Sequence, residues 1–266
     1  MRKVILLSIT LAATLRATPV SDGLSTNLIG YWGFDGSGAD ASSQGNDLTI
    51  YGGAGYASGL FGQALNLHGD PNQYAARPVD DQVYDFGSSD FTVQAWVNYN
   101  STAGTQTFVE KFTGPSGPGW TLSGPCWNTN SYYHFYSGPS AIMSFQPPAL
   151  TTNEWHQIII RRSDDQFDLL FDSNIIGSAT SSIPIPDTIR PLLIGMRDNF
   201  QEFPTNGRID EVAIWNRALT DAEISYIWNG GAGNPVTAAP VPEPTTLALM
   251  GLGIIGIAAL KRRKKS

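Results

Sequence analysis

Between residues 28 and 228, short apolar or alternating runs are separated by clusters of Gly, Asn, Asp, Ser and Pro. This is the pattern of strands joined by turns. It predicts strands near 29–34, 64–67, 91–99, 107–112, 119–122, 132–136, 155–161, 167–171, 192–195 and 207–215. So many short strands in one chain imply an all-β, two-sheet antiparallel sandwich. No period of roughly 20 to 50 residues recurs, which argues against a solenoid or propeller. One short helix is expected near the end of the domain. Thr220, Asp221, Ala222 and Glu223 form a capping box, and Ile224, Ile227 and Trp228 follow at helical spacing. After Gly230 the periodicity stops, and 231–240 reads as a linker.

The two ends follow different rules. Arg2 and Lys3 precede an apolar run from Val4 to Leu15, and small residues surround Ala17, the three-part pattern of a secretory signal peptide, assigned to 1–17. The sandwich then occupies 18–230. Near the other end, Pro242, Glu243 and Pro244 precede a mostly apolar run, 245–260, and the basic cluster 261–265. As a helix that run would be about 24 Å long, which approaches the thickness of a bilayer core. Together these features resemble the PEP-CTERM sorting signal of Gram-negative bacteria. The resemblance implies processing by an exosortase, a transient hydrophobic helix in the inner membrane within 241–266, and delivery to the cell surface or extracellular matrix.

Charge narrows the partners. The chain has 16 Lys and Arg against 23 Asp and Glu. Three of the basic residues lie in the leader and five in the tail, so the middle of the chain is strongly acidic. Such a surface repels nucleic acid and anionic membranes. Cys126 is the one cysteine, so the fold has no internal disulfide, and no role is assigned to it.

Four segments carry a second resemblance: 28–35 (LIGYWGFD) with Asp40 soon after, 62–67 (GQALNL), 90–97 (DFTVQAWV) and 207–219 (GRIDEVAIWNRAL). In order and spacing they look like the laminin-G-like jelly roll of the concanavalin A-like lectin and glucanase superfamily. The segment 155–177 fits as well, with Trp155 and His156 opening a strand that leads into a hairpin. Such domains include lectins, hydrolases and adhesive modules, so the site must decide the function.

Three chemistries are in question. Hydrolysis requires two carboxyl groups flanking one bond, and the candidates are Asp210 and Glu211. As neighbours on a strand they are expected to face opposite sides. Asp164, Asp165, Asp168 and Asp172 surround an expected hairpin turn and read as solvated. No catalytic residue is therefore assigned, and the protein is expected not to be an enzyme. Metal binding is the second chemistry. First and last strands lie side by side in a jelly roll, which would bring Asp35 or Asp40 near Asp210, oxygen ligands suited to a structural Ca²⁺. The alternative, that Asp210 bonds backbone amides, stays open. Glycan binding is the third, since sugars stack on exposed rings beside polar groups. The candidates are Trp120, Trp127, Tyr133 and Phe135, with packing as the alternative for each ring. Trp32, Trp96, Trp155 and Trp215 are expected in the core, and His68 and His156 are given no role. The reading is a non-catalytic exported protein that binds carbohydrate or exopolysaccharide, or failing that a structural or adhesive one.

Overall fold

The computed structural model describes residues 23–237 apart from 81, 115–116, 127–131, 138–139, 147–150 and 198–201. The leader, the sorting segment with Pro242, Glu243 and Pro244, and Trp127 all lie outside the described residues. Among the described residues no helix is long and apolar enough to cross a membrane.

The strands in chain order are β1 (Leu28–Trp32), β2 (Thr49–Tyr51), β3 (Gly55–Ser58), β4 (Gln63–His68), β5 (Tyr74–Ala76), β6 (Phe91–Tyr99), β7 (Thr107–Phe112), β8 (Gly119–Cys126), β9 (Tyr132–Ser137), β10 (Ser140–Phe145), β11 (Trp155–Ser163), β12 (Gln166–Phe171), β13 (Asn174–Thr180), β14 (Leu193–Ile194) and β15 (Asn206–Trp215). They form two antiparallel sheets. The first runs β13-β12-β11-β6-β15-β4-β3, with β1 also paired to β15, and the second runs β10-β9-β8-β7-β14-β5-β2.

All ten expected strands are present. The five without a prior signal are β2, β3, β5, β10 and β13. Four of these are the outermost strands of their sheets, and the fifth lies next to an edge. An edge strand needs little apolar patterning, because one side meets water; β13, for example, is mostly exposed along its length.

The inner faces meet in one apolar core that includes Trp32, Leu65, Val97, Phe108, Trp120, Tyr133, Phe135, Ile158, Phe167, Ile194, Ile209 and Ile214. A second apolar layer lies on the outer side of the first sheet. There the helix α1 (Asp221–Trp228) packs Ile224 and Ile227 against Leu28, Tyr31, Ile159, Ala213 and Trp215. The capping box is present in full: Thr220 Oγ1 accepts from Glu223 N–H, and Glu223 accepts from Thr220 N–H. Arg217 clamps Glu223 through two nitrogens at 2.9 and 2.6 Å.

The segment expected to be a linker starts as part of the domain. Gly233 N–H donates to Trp228 O, Asn234 N–H to Ile227 O, and the Asn234 side-chain amide to Tyr226 O. Val236 is 1 % exposed within the helix layer. Residues 233–236 thus form a strap fastened to α1 and its apolar layer.

Candidate functional site

One edge of β15 changes partner along its length. Its residues 206–209 pair with β4, and residues 212–215 pair with β1. Asp210 and Glu211 fall in the gap between the two partners. Across the other edge, the register with β6 shifts between Asp210 and Ala213, and Glu211 adopts φ +50°. This is a β-bulge, which re-aims side chains. Ile209 and Val212, three apart, both enter the inner core, so the residues between them turn to the outer side. The expectation that Asp210 and Glu211 face opposite sides is therefore corrected: strict alternation fails where the extra residue is inserted.

The two carboxyl groups play different parts. Asp210 is 0 % exposed and accepts N–H groups from Leu60 at 2.7 Å, Phe61 at 3.4 Å and Glu211 at 2.8 Å. It closes the turn between β3 and β4. Glu211 is 4 % exposed, accepts the Tyr31 hydroxyl at 2.5 Å, and lines a pocket of about 510 Å³ with Tyr31, Gly33, Asp35, Phe61 and Pro235. Burial and then repulsion from Glu211 push Asp210 up to about 8. Burial, opposed by the Tyr31 hydrogen bond and assisted by Asp35, pushes Glu211 up to about 7. The Tyr31 hydroxyl is raised as well, first by burial and then by the charge of Glu211.

Glycines let this cluster close. Gly62 adopts φ +48°, and a Cβ there would sit 1.9 Å from Asp35 Oδ1. That oxygen accepts Gln63 N–H at 2.7 Å. A Cβ on Gly33 would lie 3.1 Å from Glu211 Oε1 and 3.9 Å from Asp35 Oδ2, so both carboxyl groups face one backbone position.

Of the residues expected to ligate a metal, Asp35 faces the pocket. Asp40 is engaged elsewhere: its carboxylate accepts Tyr31 N–H, Ser42 N–H, Ser42 Oγ–H and Asn46 N–H, which shapes the loop after β1. Among the described residues, no group of three or more His, Cys, Asp or Glu is arranged to hold a metal ion. The pair open to a cation is Asp35 with Glu211; the sequence pointed to Asp210 in that place, whose carboxyl is taken up by backbone N–H groups.

The expected sugar-stacking rings are corrected. Trp120, Tyr133 and Phe135 are each 0 % exposed and belong to the inner core. Trp120 donates its indole N–H to Tyr84 O, and the Tyr133 and Tyr99 hydroxyls bond each other. These rings meet other rings and not solvent. The interleaved aromatic and polar residues reflect strand alternation, with His134 on the opposite side of β9, its pKa lowered by burial. Asp168 and Asp172 are also more than solvated turn residues. Asp168 pairs with Arg161 at 2.7 Å, and Asp172 pairs with Nδ1 of the buried His156 at 2.9 Å.

Composition gave no hint of the fully buried Lys111, whose ammonium meets Asp80 at 3.0 Å, Asp85 at 2.9 Å and the Thr188 carbonyl at 2.5 Å. It ties Asp80 and Asp85 to the backbone at Thr188.

A family model described as concanavalin A-like lectin/glucanases superfamily matches residues 69–225. The chain belongs to this superfamily. A second match, at residues 240–264, is the PEP-CTERM protein-sorting motif, which marks an exported protein. No relative of curated function matches the sequence. Solved structures share the concanavalin A-like fold at low identity. Domain 4 of AbnA, an extracellular arabinanase from Geobacillus stearothermophilus in complex with arabinotriose, is 19% identical with a TM-score of 0.61, over 75% of this chain and 97% of that one. The binding domain of Paraclostridial Mosquitocidal Protein 1 has 19% identity and a TM-score of 0.61, over 78% of this chain and 53% of that one. Trypanosoma rangeli sialidase has 19% identity and a TM-score of 0.57, over 79% of this chain but 34% of the sialidase. This chain therefore spans about half of the toxin domain and a third of the sialidase.

Proposed function

We propose that this protein is a non-catalytic module of the cell surface or extracellular matrix that engages carbohydrate, with a divalent cation, Ca²⁺ by the chemistry of its oxygen donors, held between Asp35 and Glu211. The observation that carries the reading is the union of a concanavalin A-like sandwich with a PEP-CTERM motif. The first is a scaffold used for glycan recognition, and the second is a signal for export. The complex of the arabinanase domain with arabinotriose supports the same reading by analogy of fold. The cation reading is supported by two carboxyl groups that share one pocket and have no ion-pair partner among the described residues. A bound cation would offset their repulsion and tie β1 to β15, a structural role. The exosortase is the processing partner implied by the motif.

The test is a glycan-array binding assay on the folded protein with Ca²⁺ and with chelator. Binding to defined sugars is expected. Silence in both conditions leaves a structural or adhesive role instead.

One observation favours a second reading, hydrolysis. Glu211, its carboxyl pushed up to about 7, shares its pocket with the exposed carboxyl group of Asp35, which is the composition of an acid–base pair. Release of reducing ends from a polysaccharide, lost in Glu211→Gln, would establish it.

A further inference from the structure

The outer side of the first sheet is only partly covered by α1. Where the helix ends, Trp228 stacks on Trp96 at 5.3 Å. Two residues further along β6, on the same side, four side chains lie in register across four strands. Trp155 is opposite Asn98, Asn98 opposite Arg208, and Arg208 opposite Asn66. At about 4.8 Å between strands, the row is about 14 Å long. Its members alternate with Leu65, Val97 and Ile209, which face the inner core. The next row outward adds His68 opposite Asn206, with the Asn100 side-chain amide bonded to Asn206 Oδ1 at 3.4 Å.

The row is held in place by its own bonds. Arg208 donates from one terminal nitrogen to Ser58 O at 2.8 Å and from the other to Asn98 Oδ1 at 2.9 Å, with its guanidinium 5.5 Å from the centre of the Trp155 ring. Asn66 Nδ2 lies 3.3 Å from His68 Nε2, and His68 Nδ1 lies 3.2 Å from Gln73 Oε1. Trp155, Arg208 and Asn66 are half-buried and His68 is exposed, so each keeps surface for a ligand. The fixed guanidinium retains N–H donors beyond the two in use.

We infer that this row is a polysaccharide-binding platform. A flat indole offers a stacking surface for the apolar face of a pyranose. The buried Asn98 orients the Arg208 guanidinium, and that guanidinium and the Asn66 amide further along the row match hydroxyls, since rigid polar groups lose little freedom on binding. The groups are mainly neutral amides with one guanidinium, which suits a polyhydroxylated chain better than a densely charged one. The row runs across the strands, a direction that an extended glycan can follow over several residues. This site rests on the carbohydrate reading above and gives it a location that the buried rings of β8 and β9 do not provide.

The test is affinity electrophoresis of the full chain through gels containing dextran, arabinan or alginate, comparing wild type with Asn66→Ala, Arg208→Lys and Trp155→Phe. Thermal melting checks that each variant is folded. Wild type is expected to be retarded by at least one polysaccharide. In that gel Arg208→Lys and Asn66→Ala are expected to bind about tenfold more weakly, a loss of about 1.4 kcal/mol, with unchanged melting. If wild type is retarded and all three folded variants match it, the platform is wrong while the carbohydrate reading stands. If wild type binds none of the three polysaccharides, both fall.

Discussion

At Glu211 one residue in the left-handed region changes the chemistry of an entire strand edge. Without the bulge, Glu211 would point into the apolar core, where its charge would be untenable. With it, two acids share the outer side and repel each other. Each holds its proton more tightly folded than unfolded, since burial raises Asp210 to about 8 and Glu211 to about 7. The folded state therefore binds more protons across the interval from about 4, the unfolded carboxylate value, to those raised values. Stability from this pair is present in acid and lost as pH rises through that window. In the presence of chelator, melting temperature is expected to fall between pH 5 and pH 8. Added Ca²⁺ is expected to restore it at pH 8 more than at pH 5, and equal effects at both pH values would argue against a cation at this pocket.

The helix α1 shows how a local signal becomes a packing element. Eight residues are too few for a stable isolated helix, so α1 depends on its cap and on the outer apolar layer. Thr220→Ala removes the hydroxyl that accepts Glu223 N–H, and should cost about 1 kcal/mol in chemical denaturation. The Arg217–Glu223 clamp holds Glu223 below its usual value, its hydrogen bonds outweighing burial, which is the largest single influence and acts the other way. The cap was legible because its residues are adjacent in sequence. The strands at the sheet edges were not, because β2, β3, β10 and β13 are each defined by a single neighbouring strand and need no pattern of their own.

For the whole molecule, the strap joins the sandwich to its sorting signal. Val236 is fixed in the outer layer, with its backbone amide approaching the Tyr31 hydroxyl, and the sorting motif begins at residue 240. The domain and the motif are thus separated by only a few residues, which can span at most about 3.5 Å each. Pro235 and Thr237 also line the Asp35–Glu211 pocket, so the strap and the carboxyl cluster share a wall. Val236→Asp places a charge in that apolar layer and is expected to release the strap. Limited proteolysis should then cut within 231–237 faster than in wild type, with the sandwich intact. An unchanged cleavage rate would mean that the strap is not held by this contact.

Export, the sandwich class, ten of the strands and the capped helix followed from sequence alone. Each depends on residues close together or on a repeating pattern, and burial on one face leaves a period that can be read. The site needed the tertiary structure. The bulge at Glu211 arises where β15 passes from β4 to β1, a junction of strands more than a hundred residues apart in the chain. Whether Trp120, Tyr133 and Phe135 meet water or one another depends on the opposing sheet. The row from Trp155 to Asn66 exists only when four distant strands are in register. Composition lists the chemical groups, and long-range pairing decides which of them meet.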